Sequence, residues 1–237
     1  MTRGIVIAGN ESPLFAAAVG EAAKRVESFA SILIPNRLSH EKGNALFLLG
    51  ESGQKAIPLS WNPASPISAR TVVLAAENRL EQINDAILLC SPPSVFKTAE
   101  ALTPEEIEVF VNDQIKGWFF LARELVLYFR RMGRGSISLA APEISFDGKN
   151  MQPDLLGPPA AAAFRAFCES ILAISANEPF VVTGFSGGEA GGENEFAEWF
   201  FRIIDGSSKK NRGRWHKYPK IKLLRNLKKV LGSFSLP

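Results

Sequence analysis

Residues 103–141 read TPEEIEVFVNDQIKGWFFLARELVLYFRRMGRGSISLAA, and the rest of the chain is organised around them. Thr103 is a natural N-cap, Pro104 suits the first helical position, and Glu106 stands three residues after the cap. Apolar residues then recur at helical spacing: Ile107, Phe110, Val111, Ile115, Trp118, Ala122, Leu125, Val126 and Phe129. Arg130 and Arg131 suit the negative end of a helix dipole, and Gly133 is a natural stop. The spacing predicts one helix of about 28 residues, roughly 42 Å long. Ser136–Ala141 is short, small and apolar, which reads as a buried strand.

Working outward, residues 4–9 predict a first buried strand. Ser12 and Pro13 then open an Ala-rich helix over 14–26. Residues 31–35 form a second strand. Two extended runs, 44–51 and 55–60, flank a hairpin-like Glu51-Ser-Gly-Gln. A helix over 69–80 leads to a strand at 86–90, which Ser91-Pro-Pro93 ends. After the central segment come a long helix over 158–176, a strand at 180–183, a glycine-rich loop over 184–194 and a helix over 195–204. Strands apolar throughout, alternating with helices, predict an α/β fold: a Rossmann-type, doubly wound parallel sheet with helices on both faces. Such a sheet places its ligand crevice at the carboxyl ends of the strands.

Composition sets further bounds. With 237 residues the chain suffices for one domain, read as 1–219, followed by a basic amphipathic tail, 220–237. No apolar run approaches 18 residues, and the first is too short for a signal peptide, so no membrane span and a cytoplasmic location are expected. Cys90 and Cys168 sit in apolar surroundings and read as buried free thiols. Ten of the 27 basic residues fall between Lys209 and Lys229 with no acid among them, leaving the remainder at a formal charge of about −7. Within that stretch Ile221, Leu224, Leu227 or Lys228, and Leu231 share one side of a helix. Such a helix suits an anionic membrane surface or an acidic partner through residues 209–231. It equally suits the chain's own acidic body or a second subunit. No specific nucleic acid is expected.

The central helix, its Gln114-Ile-Lys-Gly117 step, the aromatic pair, the basic turn and the strand that follows resemble the short-chain dehydrogenases/reductases. The resemblance covers about residues 4–219 in order and spacing. It implies a nicotinamide dinucleotide bound over a Thr-Gly-x-x-x-Gly-x-Gly turn. It also implies catalysis by Ser, Tyr-x-x-x-Lys and a helix Asn, with association through the two long helices. The letters depart at each functional position. The turn reads Ala8-Gly9-Asn10-Glu11-Ser12-Pro13-Leu14-Phe15, retaining only the first glycine. Glu11 would repel a diphosphate ~5 Å away by several kcal/mol at an intermediate dielectric.

The helix Asn position holds Gln114, the Ser position falls at Ala141 or Pro142, and the Tyr and Lys positions fall at Gly157 and Ala161. Ser138 stands too early along its strand, and Ser145 and Lys149 fall in a loop. Gly9, Asn10 and Ser91 line what is left of the crevice. Tyr128 and Tyr218 are the only tyrosines, His40 and His216 the only histidines, and no cluster has metal-ligand spacing. Three readings follow. The first is a protein of this fold that has lost dehydrogenase activity, binds no cofactor and acts by association as a homodimer or homotetramer. The second is an NAD- or NADP-dependent oxidoreductase with displaced catalytic groups. The third is a module binding anionic surfaces through its tail.

Overall fold

A computed structural model of the chain describes residues 3–34, 55–141, 154–187, 192–206 and 212–219. Its centre is a seven-stranded sheet in the order β3-β2-β1-β4-β5-β6-β7, with every pairing parallel. The strands are β1 (Ile5–Asn10), β2 (Phe29–Ile34), β3 (Ala56–Leu59), β4 (Asp85–Leu89), β5 (Ser136–Ala141), β6 (Val181–Ser186) and β7 (Arg214–Lys217). The helices are α1 (Pro13–Ala23), α2 (Pro66–Leu80), α3 (Pro104–Val111), α4 (Gly117–Met132), α5 (Gly157–Ile174) and α6 (Gly192–Asp205). This is the doubly wound parallel α/β architecture read from the sequence.

Alternation along the strands builds two cores. Val6, Ala8, Ala86, Leu88, Ile137 and Leu139 point to the face covered by α2, α4 and α5. Ile5, Ile7, Ile87, Leu89, Ala140 and Phe185 point to the face covered by α1 and α6. Successive strand residues face opposite sides of a sheet, so strands buried on both faces must be apolar at every position. The strand order reverses between β1 and β4, and the carboxyl ends of those two strands form the switch point.

Several sequence expectations are corrected. The central helix runs unbroken from Pro104 to Met132 as expected, but it is not regular: α3 ends at Val111, residues Asn112–Lys116 form a single π-helical turn, and α4 begins at Gly117. A Cβ on Gly117 would lie 2.7 Å from Pro63 Cβ and 3.2 Å from the Trp61 ring, so the glycine lets α4 pass close to that loop. Ile107, placed on the buried side from its spacing, is 40% exposed, while Leu121 and Tyr128 are buried. The capping box of Thr103 and Glu106 and the left-handed stop at Gly133 are both present.

Of the hairpin-like pair, residues 44–51 lie outside the described residues, and the second run is β3, parallel to β2. The stretch read as a glycine-rich loop is shorter than expected. Gly184 lies inside β6, where a Cβ would meet the Trp215 ring of β7 at 2.2 Å, and Gly192–Asn194 open α6. The strand therefore needs glycine because a neighbouring ring crosses it.

Cys90 and Cys168 are buried free thiols, and burial, the largest influence at each, pushes both pKa values up. By length and composition, Gly157–Asn177 has the mean hydropathy, 1.2, of a membrane-crossing helix, although the sequence reading expected none. In this fold its apolar stripe, including Ala160, Phe164, Cys168 and Ile171, is buried within the domain.

An ion-pair network fastens the amino ends of the strands. Arg3 reaches Asp85 and Asp205 at 2.6 Å each, and Arg25 reaches Asp205 at 2.7 Å and Glu21 at 2.6 Å. Burial opposes charge on Glu21 and Asp205, but hydrogen bonds from Lys24 and Arg25 at the first, and from Arg3 and Arg25 at the second, outweigh it. Both carboxyls therefore titrate below their ordinary values of 4.5 and 3.8. Their stabilisation is complete above those values and is lost as pH falls through the lowered ones. The stability gap between the parent and Asp205→Asn is expected to be constant at neutral pH and to narrow as pH falls below the ordinary carboxyl value of 3.8 through the lowered one. Urea unfolding as a function of pH measures it, and a gap unchanged down to pH 2 would contradict the assignment.

Candidate functional site at the carboxyl edge of the sheet

Asn10 ends β1 with its side chain buried. Its Oδ1 accepts from Ser91 N–H at 2.9 Å, just beyond β4, and its Nδ2 donates to Gln114 Oε1 at 2.5 Å in the π turn. One amide thus ties together the switch-point strands and the start of α4. Asn10 and Gln114 are 3% and 2% exposed, and Ser91 is half-buried.

Above it, the β1–α1 turn is filled by the chain's own side chains. A Cβ on Gly9 would lie 2.6 Å from Phe15 Cδ2 and 3.2 Å from Leu89 Cβ, so the Phe15 ring rests on the glycine. Phe15 is buried. In α1, Pro13 has no N–H, and Phe15 N–H is taken by the capping Ser12 Oγ at 3.2 Å. The first-turn amides that would serve an anion at a helix N-terminus are thereby reduced.

The opposite wall is formed by the start of α5. Asp154 Oδ1 accepts from Gly157 N–H at 2.9 Å and from Leu156 N–H at 3.1 Å. A Cβ on Gly157 would lie 2.5 Å from Asp154 Oδ2 and 3.3 Å from Pro93 O. Phe96 pairs with Asp154 in an isolated antiparallel bridge. Val95, Phe110 and Ala160, with Leu102, Ile115 and Leu156 against them, make a small separate core beside this wall. Ala161 is buried in the first turns of α5.

The structure therefore brings Gly9, Asn10, Ser91 and Gln114 together at the switch point and places Gly157 and Ala161 on α5. Pro142, Ser145, Lys149 and His40 lie outside the described residues. Ser138 is buried within β5. Tyr128 OH accepts from Ile83 N–H at 2.8 Å, and its pKa is raised, chiefly by burial. The Tyr218 ring lies against Phe196 and Trp199 of α6. His216 stacks on Phe185 at 5.6 Å, and burial, then Arg214, lowers its pKa. Among the described residues no group of three or more His, Cys, Asp or Glu could hold a metal.

Sequence reasoning named the members of the polar trio but missed their contact, and it missed Asp154 altogether. An amide at the end of an all-apolar strand was the available signal for the first; nothing local marked the second.

The seven-stranded parallel sheet, its switch point and its helical layers define the fold of the short-chain dehydrogenases/reductases. Solved structures of that class superpose over nearly the whole chain. A short-chain type dehydrogenase/reductase from Mycobacterium marinum matches with a TM-score of 0.72 at 14% identity, covering 91% of this chain and 92% of that one. A 3-ketoacyl-(acyl-carrier-protein) reductase from Brucella melitensis, complexed with NADH, matches with a TM-score of 0.70 at 15% identity, over 91% and 96%. The NADH-dependent reductase A1-R′, responsible for alginate metabolism, gives 0.69 at 11% identity, over 92% and 95%. No protein-family model matches the chain, and no curated protein does.

Proposed function

We propose that this protein keeps the short-chain dehydrogenase/reductase fold without its hydride-transfer chemistry and works by association. The observation that carries the reading is the Phe15 ring seated on Gly9. Where the fold class has a glycine that lets the first helix pack close on its strand, this chain packs a buried ring. A dinucleotide held as the fold class holds it also needs backbone N–H groups that Pro13 and the Ser12 cap withdraw. The described residues do not fit a diphosphate in that pose. Gly157, at the position the resemblance assigns to the catalytic Tyr, is crowded by Asp154 and Pro93. Both tyrosines are engaged elsewhere. Titration with NADH, followed by nicotinamide fluorescence, is expected to show no saturable enhancement. A saturable rise favours the second reading, an NAD- or NADP-dependent oxidoreductase with displaced catalytic groups, which draws support from the NADH-bound neighbour.

Association through α4 and α5 is supported by apolar surface on both. The Phe119 and Phe167 rings lie 4.1 Å apart on the outer side of the helices, and Phe119 is 42% and Ile174 54% exposed. Phe164, on the same helix as Phe167, turns inward against Trp118 at 5.0 Å. Light scattering at tens of micromolar is expected to give a dimer or tetramer, and Phe119→Glu to lower the mass toward one chain. A parent that is already monomeric would contradict this part of the reading.

A further inference from the structure

Among the described residues, nothing covers the groove between α6 and α1 near the point where the described chain ends. Tyr218 lies 5.8 Å from Phe196 and 5.3 Å from Trp199, ring to ring, so the backbone leaves β7 against the amino-terminal half of α6. The same half turns Glu195 and Glu198 to solvent, and neither forms an ion pair among the described residues. These two carboxylates flank a groove of about 550 Å³ between α6 and α1. Its α1 side is formed by Pro13, Ala16, Ala17 and Gly20, with the Lys24–Glu21 ion pair at its far end. A Cβ on Gly20 would meet no atom within 4 Å, so the groove is open there.

The sequence beyond Pro219 has the complementary character. It carries Lys220, Lys222, Arg225, Lys228 and Lys229 without an acid, and Ile221, Leu224, Leu227 and Leu231 at helical spacing. Crossing one helix, about 10 Å wide, takes three to four extended residues at ~3.3 Å each. The apolar positions from Leu224 onward are then within reach of the α1 side of the groove.

We infer that the basic C-terminal segment, residues 220–231, docks on its own domain across α6 and into the α1–α6 groove, with its cations on Glu195 and Glu198 and its leucines on Ala16, Ala17 and Gly20. Tethering makes the contact intramolecular, at an effective concentration of order millimolar, so weak pairings suffice to hold it. An external anionic surface has to compete with that. The docking is independent of whether the crevice takes a dinucleotide.

The test is disulfide trapping in the full chain carrying Gly20→Cys and Leu227→Cys. Native Cys90 and Cys168 are buried and do not compete. Mild oxidation at low salt is expected to give an internal cross-link at monomer mass. It should form about tenfold more slowly with Glu195→Lys and Glu198→Lys added, and more slowly in molar salt. Each variant's melting temperature, compared with the parent, establishes that it is folded. No cross-link in a folded variant, or one indifferent to charge reversal, overturns the docking. A cross-linked dimer moves the segment to a second copy and also overturns it. So does co-sedimentation of the full chain with anionic vesicles that Glu195→Lys and Glu198→Lys leave unchanged, which would give the segment to a membrane surface.

Discussion

Phe129→Ala is expected to lower the unfolding free energy by about 3–5 kcal/mol, the range for removing a fully buried aromatic side chain. The Phe129 ring is fully buried, 5.2 Å from Tyr128 and 5.7 Å from Phe180. It also lies over Gly135, where a Cβ would meet Phe129 Cδ1 at 2.2 Å. The walls of the resulting cavity are poorly placed to collapse. Ser136 N–H is bonded to Asn84 O and Val181 N–H to Gly135 O, both at 2.9 Å, which fixes the turn into β5 and the start of β6. A destabilisation under 1 kcal/mol in denaturant unfolding would mean that the ring is not the packing centre described.

Asn10→Leu is expected to cost about 2–4 kcal/mol, although leucine is more apolar and similar in size. The substitution leaves Ser91 N–H and Gln114 Oε1 without their partner, and an unsatisfied buried polar group costs about 1–3 kcal/mol. Gln114→Met alone strands only Asn10 Nδ2. Adding Gln114→Met to Asn10→Leu removes one of the two orphans, so the double variant should be more stable than the sum of the single losses predicts. Strict additivity in that cycle would contradict a direct Asn10–Gln114 hydrogen bond.

The fold was legible because its two signals are local. Strands apolar at every position, such as Ile5-Val6-Ile7-Ala8, announce burial on both faces, and helices between them announce parallel pairing. Thr103, Pro104, Glu106 and Gly133 carried the helix ends for the same reason. The π turn was not legible, since one extra residue shifts an apolar stripe little, and its structural setting is a contact between Gly117 and distant Pro63. Gly184 was misread as loop because glycine is local punctuation, whereas the requirement comes from Trp215 on the next strand. At the crevice the substituted letters at Phe15, Gln114 and Gly157 could be read directly. The pairing of Asn10 with Gln114 could not, because nothing short of the folded sheet brings those positions together.

The most direct measurement is a thermal-shift titration of the parent chain with NAD, NADP and their reduced forms. With Phe15 on Gly9 and the α1 amides withdrawn, no saturable rise in melting temperature is expected up to about 1 mM. A bound dinucleotide at 100-fold its dissociation constant would add ~2.7 kcal/mol to stability. A saturable upward shift of that order with any of the four would contradict the account.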